Sequence, residues 1–222
     1  MSHFRPAFFA FLTDLKANNR KDWFEENRKR YEEDVKKPLL GFIEDFAPHL
    51  AGISPHFVAD SRSMFRIYRD VRFSRDKSPY KTHAAAQFRH EDGRDVHAPG
   101  FYLHLEPDSV FVGVGLYHPE PRVAVKVRDA IVAQPERWAA ILGGRDFAAN
   151  CRLWGESLKS VPRGYAPDHP HAEHLKRKDF IATREMSPEA ACRQGFLQEF
   201  VSFCRCSSDY NRFLTESLGL KY

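Results

Sequence analysis

No stretch of this 222-residue chain approaches the roughly 18 consecutive apolar residues that a membrane-spanning helix needs. The apolar patch near the start, MSHFRPAFFAFLTDLK, is interrupted by Asp14 and Lys16. It also lacks a basic n-region followed by a small-residue cleavage site, so no secretory signal is read there. A cytoplasmic protein with no membrane partner is the expectation. Cysteine is scarce as well: Cys151, Cys192, Cys204 and Cys206 are the only four, and no C-x-x-C pair occurs. Reduced, mostly structural thiols follow.

Several chemical signatures are missing. There is no Walker A loop, no G-x-G-x-x-G and no G-x-S-x-G, and Gly113-Val114-Gly115 is a strand glycine pair. Ser74 and Lys77 spell S-x-x-K, but the S-D-N and K-T-G companions are absent, so a serine nucleophile is rejected. His169, His171, Glu173 and His174 crowd one segment. Neither H-E-x-x-H nor H-x-x-E-H is present, and Pro170 stands where the second needs a histidine. No metal and no cofactor is therefore expected. His83, His90, His97 and His104 recur every seven residues, a spacing without geometric meaning across strands and loops. No RRM, KH or helix-turn-helix pattern appears. No repeat or low-complexity linker divides the chain, so one domain over residues 1–222 is expected.

What the chain does hold is aromatic residues, 14% of the total with nineteen Phe, enough for a sizeable core. Residues 4–17 read as an amphipathic helix with Phe8, Phe11, Leu12 and Leu15 on one face. A second helix is expected over 20–37, and a third begins at Pro38. Strands are expected at 64–69, 84–90 and 180–186, with the polar insert EDGRDVHA after the second. The clearest β signal is PGFYLHLEPDSVFVGVGLY, a hairpin about Pro107-Asp108. Its turn sets Tyr102 opposite Gly113 and His104 opposite Phe111. Phe101, Leu103, Leu105, Val110, Val112 and Val114 then form the buried face. The opposite face carries Tyr102, His104, Phe111, Gly113 and Gly115, and its glycines leave room at the backbone. A ligand fits there, although a helix or loop packed on the sheet is the plainer expectation. Helices are expected again at 122–133, 135–142 and 172–178, and after a Ser187 N-cap. The fold class is α+β: a central, mostly antiparallel sheet with N-terminal and C-terminal helices packed on it.

The charge is nearly balanced, 34 Lys and Arg against 30 Asp and Glu, for a net +4. It is not evenly spread. Residues 62–83, RSMFRIYRDVRFSRDKSPYKTH, hold seven cations and two carboxylates, a local +5. The remainder of the chain is close to neutral.

This stretch also carries a resemblance. YRDVRFSRDKSPYKT at 68–82 is similar to the most specific motif of the domain of unknown function 2461 family. Phe8 to Leu15, followed by Asn18-Asn19-Arg20 and Trp23-Phe24, resembles its N-terminal helices. VPRGY at 161–165, DHP at 168–170, Leu175-Lys176 and Lys178-Asp179 resemble its second motif. The resemblance implies an intracellular globular protein and carries no activity or catalytic residue with it.

The leading functional reading is a small anionic ligand, phosphorylated compounds included, held by guanidinium forks and ammonium groups. The candidate ligand-binding residues are Arg66, Arg69, Arg72, Arg75, Lys77, Lys81, Tyr102, His104, Arg163 and Lys176. His83, His104 and Asp70 are candidates for acid–base work. One alternative is a single-stranded nucleic-acid-binding module, because Phe65, Tyr68, Phe73 and Tyr80 interleave with the cations. Another is a protein-interaction domain with a purely structural network of arginines and aspartates such as Asp70 and Asp76.

Overall fold

Five strands form the centre of the molecule, and the hairpin sets their register. A computed structural model describes residues 2–93 and 99–222. Strands β1 (Ala84–Arg89), β2 (Gly100–Glu106) and β3 (Ser109–Leu116) form an antiparallel meander. Tyr102 pairs with Gly113 and His104 with Phe111, as the two-residue turn requires. Strand β5 (Phe180–Met186) pairs with β3, and the short β4 (Arg152–Trp154) closes the far edge, giving the order β1-β2-β3-β5-β4. All pairings are antiparallel. The insert EDGRDVHA lies for the most part at 94–98, outside the described residues.

The helices take one face. Helix α1 (Pro6–Ala17) buries Phe8, Phe11, Leu12 and Leu15. The expected second helix breaks at Asn27 into α2 (Lys21–Glu26) and α3 (Arg28–Arg30). The third does not start afresh: a π turn at Tyr31–Lys36 leads straight into α4 (Lys37–Ala51). Pro38 supplies the reason. It has no N–H for the Asp34 carbonyl and its ring crowds that carbonyl, so the preceding turn widens to pass it. Helices α5 (Pro121–Ala133), α6 (Pro135–Gly143), α7 (Arg145–Asn150) and α8 (Ala172–Leu175) follow the meander. After β5, Ser187 caps α9 (Pro188–Ala191) through the Ala190 N–H at 3.1 Å. Gly195 turns the chain with φ of 102° into α10 (Phe196–Cys206), followed by α11 (Ser208–Ser217).

Helices α1, α4, α10 and α11 pack on the sheet. They cover Leu103, Val112, Val114 and Phe88, each 1% exposed or less. The result is an α+β molecule with one apolar cluster running from Phe4 to Leu214. Among the described residues no helix is long and apolar enough to cross a membrane.

The expected strand at 64–69 is instead an extended strap. Met64 bridges Ala86 of β1, but Tyr68 bridges Tyr80 of the returning chain. The strap changes partners within five residues, so no ladder persists. Its anchors are Phe65 N–H to the Ala85 carbonyl at 3.0 Å and Lys81 N–H to the Ile67 carbonyl at 2.8 Å.

Candidate functional site: the open face of the sheet

Among the described residues no helix lies over the glycine-bearing face, and the strap packs at its side, with the Phe65 ring 6.2 Å from that of Tyr102. The face forms the floor of a cavity of about 460 Å³. Gly113, Thr183 and Ile181 lie at its base. Phe65, Lys81 and His83 of the strap and its return form one wall, and Tyr117 and Trp154 form the other. The glycines differ in what they permit. A Cβ on Gly115, whose φ is 121°, would lie 2.0 Å from the Phe180 carbonyl oxygen, so strand geometry demands glycine there. A Cβ on Gly113 would meet nothing closer than 3.7 Å. Its missing side chain leaves the floor flat.

The polar groups gather at one end. Strand alternation puts Tyr102, His104 and Glu106 on the same face. Tyr102 Oη and His104 Nδ1 are 3.1 Å apart, and His104 Nε2 and Glu106 Oε2 are 3.4 Å apart. The Thr82 hydroxyl donates to Glu106 Oε1 at 2.9 Å. The His83 ring lies 4.5 Å from that of His104, and Phe111 stacks on the other side of His104 at 4.7 Å. Burial pushes the His83 pKa down to about 4, assisted by His104, and burial also lowers that of His104. Burial thus favours the neutral form of both imidazoles. Burial raises the Tyr102 pKa. Donor and acceptor atoms of His83, His104 and Glu106 all come within 4.8 Å of one another.

The cations are placed differently. Lys81 lies on the cavity wall, its Nζ 5.1 Å from the Phe65 ring centroid and 2.9 Å from the Arg66 carbonyl oxygen. Burial, then the nearby Arg66, lowers its pKa. The other cations of the stretch lead away from the cavity. Arg69 pairs with Asp76 and donates to the Ser78 carbonyl at 3.2 Å. Arg72 grips Asp70, with its closest N–O contact at 2.6 Å. Lys77 donates to the Val71 carbonyl at 2.9 Å. Arg72 holds the Asp70 carboxyl down to about 2. Hydrogen bonds from the Ser78 hydroxyl and amide, then Arg69, do the same for Asp76. These pairs are local and exposed rather than a buried network. Arg66, Arg72, Arg75 and Lys77 are exposed, and none of them is in the cavity lining.

The interleaved aromatics divide in the same way. Tyr80 is core, stacked on Phe24 at 4.1 Å, and Phe65 walls the cavity. Tyr68 is half-exposed, while Phe73 is 96% exposed under the Arg72 guanidinium.

The second motif packs elsewhere. Arg128 of α5 donates to the Leu175 and Arg177 carbonyls, each at 2.8 Å. The Trp138 indole N–H of α6 donates to His174 Nδ1 at 3.0 Å, and His171 Nε2 lies 2.9 Å from the Pro135 carbonyl oxygen. Tyr165 donates to Asp129 at 2.8 Å. The motif thus clamps a long loop onto α5 and α6. Arg163 is exposed on that loop, and Lys176 pairs with Glu173 at 2.5 Å. Neither lines the cavity. Asp179, at the motif's end, is 1% exposed and accepts from the His118 and Glu156 N–H groups at 2.8 and 2.9 Å.

Of the ten residues expected to bind a ligand, Lys81, Tyr102 and His104 thus meet in the cavity. Sequence reasoning missed Glu106, Thr183, Tyr117 and Trp154. Glu106 was within reach of it, since His104-x-Glu106 alternates with Tyr102 on one strand face. His83 meets His104 through antiparallel register, not through a seven-residue spacing. His90 lies apart, its Nε2 2.8 Å from the Lys221 carbonyl oxygen, and His97 is outside the described residues.

No curated protein matches the chain. A family model does, over residues 7–213 of the 222, and it spans the strap, the cavity and the clamped loop. The chain belongs to the family described as conserved hypothetical protein DUF2461.

Proposed function

We propose that this protein binds a small organic ligand with a flat apolar body and one anionic group in the cavity on the open face of the sheet. The observation that carries the reading is the division of the lining. Aromatic rings and bare backbone form most of the wall, and Lys81, His83 and His104 gather at one end. A cavity near 460 Å³ is within the ordinary range for small-molecule sites, which pair apolar walls with a few placed polar groups. Lys81 supplies the charge for the anion. The imidazoles supply hydrogen bonds and stacking, and Tyr117 and Trp154 supply aromatic surface on the opposite wall.

Phe73 favours a second reading. An almost fully exposed ring among Arg72, Arg75 and Lys77 is a stacking platform beside positive charge, suited to a single-stranded nucleic acid.

One thermal-shift screen separates the two. Aromatic carboxylates, aromatic phosphates, inorganic phosphate and a single-stranded oligonucleotide are each added to wild type, Gly113→Leu and Phe73→Ala. At 100 times its Kd a cavity ligand stabilises by about 2.7 kcal/mol, roughly 5–10 °C for a chain of this size. The shift should come from an aromatic anion and vanish in Gly113→Leu. A shift given by the oligonucleotide alone, and lost in Phe73→Ala, would transfer the function to the loop. No shift with any compound would overturn both readings.

A further inference from the structure

We propose that His83, His104 and Glu106 form a binding site for a divalent first-row transition ion, zinc foremost, with an open coordination position facing the cavity. The inference rests on the cavity reading above and deepens it, because the open position is where the ligand's anionic group would bind.

Geometry carries the argument. His104 Nε2 and Glu106 Oε2 are 3.4 Å apart. That is long for an N–H···O bond, which runs at about 2.7–3.2 Å. It matches the separation of two donors on a tetrahedral ion, about 3.4 Å when each bond is about 2.1 Å. His83 completes the triangle, with all three donors within 4.8 Å of one another. Ala84 pairs with Leu105, so His83 continues the register opposite Glu106 and on the same face.

The groups behind the three donors are already set. Thr82 donates to Glu106 Oε1, which leaves Oε2 turned toward His104. Tyr102 Oη lies at His104 Nδ1, so a proton on Nδ1 has an acceptor and Nε2 presents its lone pair. Such outer partners fix the tautomer and aim of a metal-binding imidazole. Among the described residues His83 has no hydrogen-bond partner, so its ring nitrogens are not committed elsewhere. Two imidazoles and one carboxylate suit zinc and its neighbours rather than calcium or magnesium, which prefer all-oxygen shells. Three protein ligands leave a position for an exogenous donor, and the cavity adjoins it.

The full chain, stripped with EDTA and dialysed, is titrated with Co²⁺ and then with Zn²⁺. The expected result is one ion per chain, visible d–d absorption of low-symmetry cobalt, and its bleaching as zinc displaces it. His83→Gln and Glu106→Gln should each weaken zinc by about tenfold or more. His171→Gln, in the other histidine cluster, should leave it unchanged. Glu106→Gln keeps a partner for Thr82, so its loss of metal would not reflect a lost fold, and circular dichroism checks this. No stoichiometric zinc at micromolar concentration, or equal affinity in both cavity variants, overturns the proposal. The organic-ligand screen repeated in EDTA keeps the two readings apart. A shift there with no metal bound leaves the cavity standing and removes the ion.

Discussion

Single residues show where composition stops being informative. Seven cations in 62–83 suggest a convergent anion site, yet Arg69 and Arg72 are occupied by Asp76 and Asp70 on the same loop. A charge count cannot distinguish a carboxylate that closes a loop from a vacancy that awaits a ligand. Conversely, the His174 imidazole looks in sequence like a metal-ligand candidate, but its Nδ1 is the acceptor for the buried Trp138 indole. Burial, with His171 and Arg177 adding to it against Glu173, lowers its pKa to about 4 from 6.5. The sign of the pH dependence follows. The unfolded chain takes up this proton at a higher pH than the native one, so His174 favours the unfolded state increasingly as pH falls from about 6.5 towards 4. Stability should be fully present above that window and decline within it, by at most about 1.4 kcal/mol per pH unit for each proton. Urea unfolding at pH 7.5 and at pH 5, followed by tryptophan fluorescence, checks this. His174→Asn keeps an acceptor for the indole and should unfold with a shallower pH slope than wild type. An unchanged slope would remove His174 as a contributor.

At the scale of elements, much was legible. Strict alternation either side of Pro107-Asp108 fixed the hairpin register residue by residue, and β5 occupies the expected Phe180–Met186. What escaped were the non-local features. The strap at 64–69 has strand-like residues but divides its bridges between β1 and its own return. Pro38 marks the place of the π turn, but whether its ring ends one helix or only widens the turn before it depends on how the helix packs. The two glycines of β3 offer an element-level prediction. Gly115→Ala forces a side chain onto a positive φ and into the Phe180 carbonyl, and should cost about 2–4 kcal/mol. Gly113→Ala meets only ordinary contacts and should fall within about 1 kcal/mol of wild type. Chemical denaturation of the two variants side by side measures the difference. Equal losses would mean that Gly113 is also held by geometry, and that the flat floor is incidental.

At the scale of the whole molecule, the decisive fact is which face of the sheet the helices leave bare. The sequence marks both faces plainly: Leu103, Val112 and Val114 on one, Tyr102, His104 and Gly113 on the other. It does not say whether a second layer covers the polar-aromatic face, because that depends on how α5 to α8 and the long clamped loop are routed. They are tied to one another by Arg128, Trp138 and Tyr165, and among the described residues none of these helices covers the sheet's second face. The central claim is that binding occurs on that open face and not on the basic loop. Titration with anilinonaphthalene sulfonate, an aromatic anion whose fluorescence rises in apolar surroundings, tests it most directly. Wild type should bind one probe per chain. Gly113→Leu should weaken it by about tenfold, equivalent to about 1.4 kcal/mol, and Lys81→Met by a smaller factor. The double variant Arg72→Ala, Arg75→Ala should bind as wild type does. Undiminished binding in Gly113→Leu, or loss in the arginine double variant, would contradict the account.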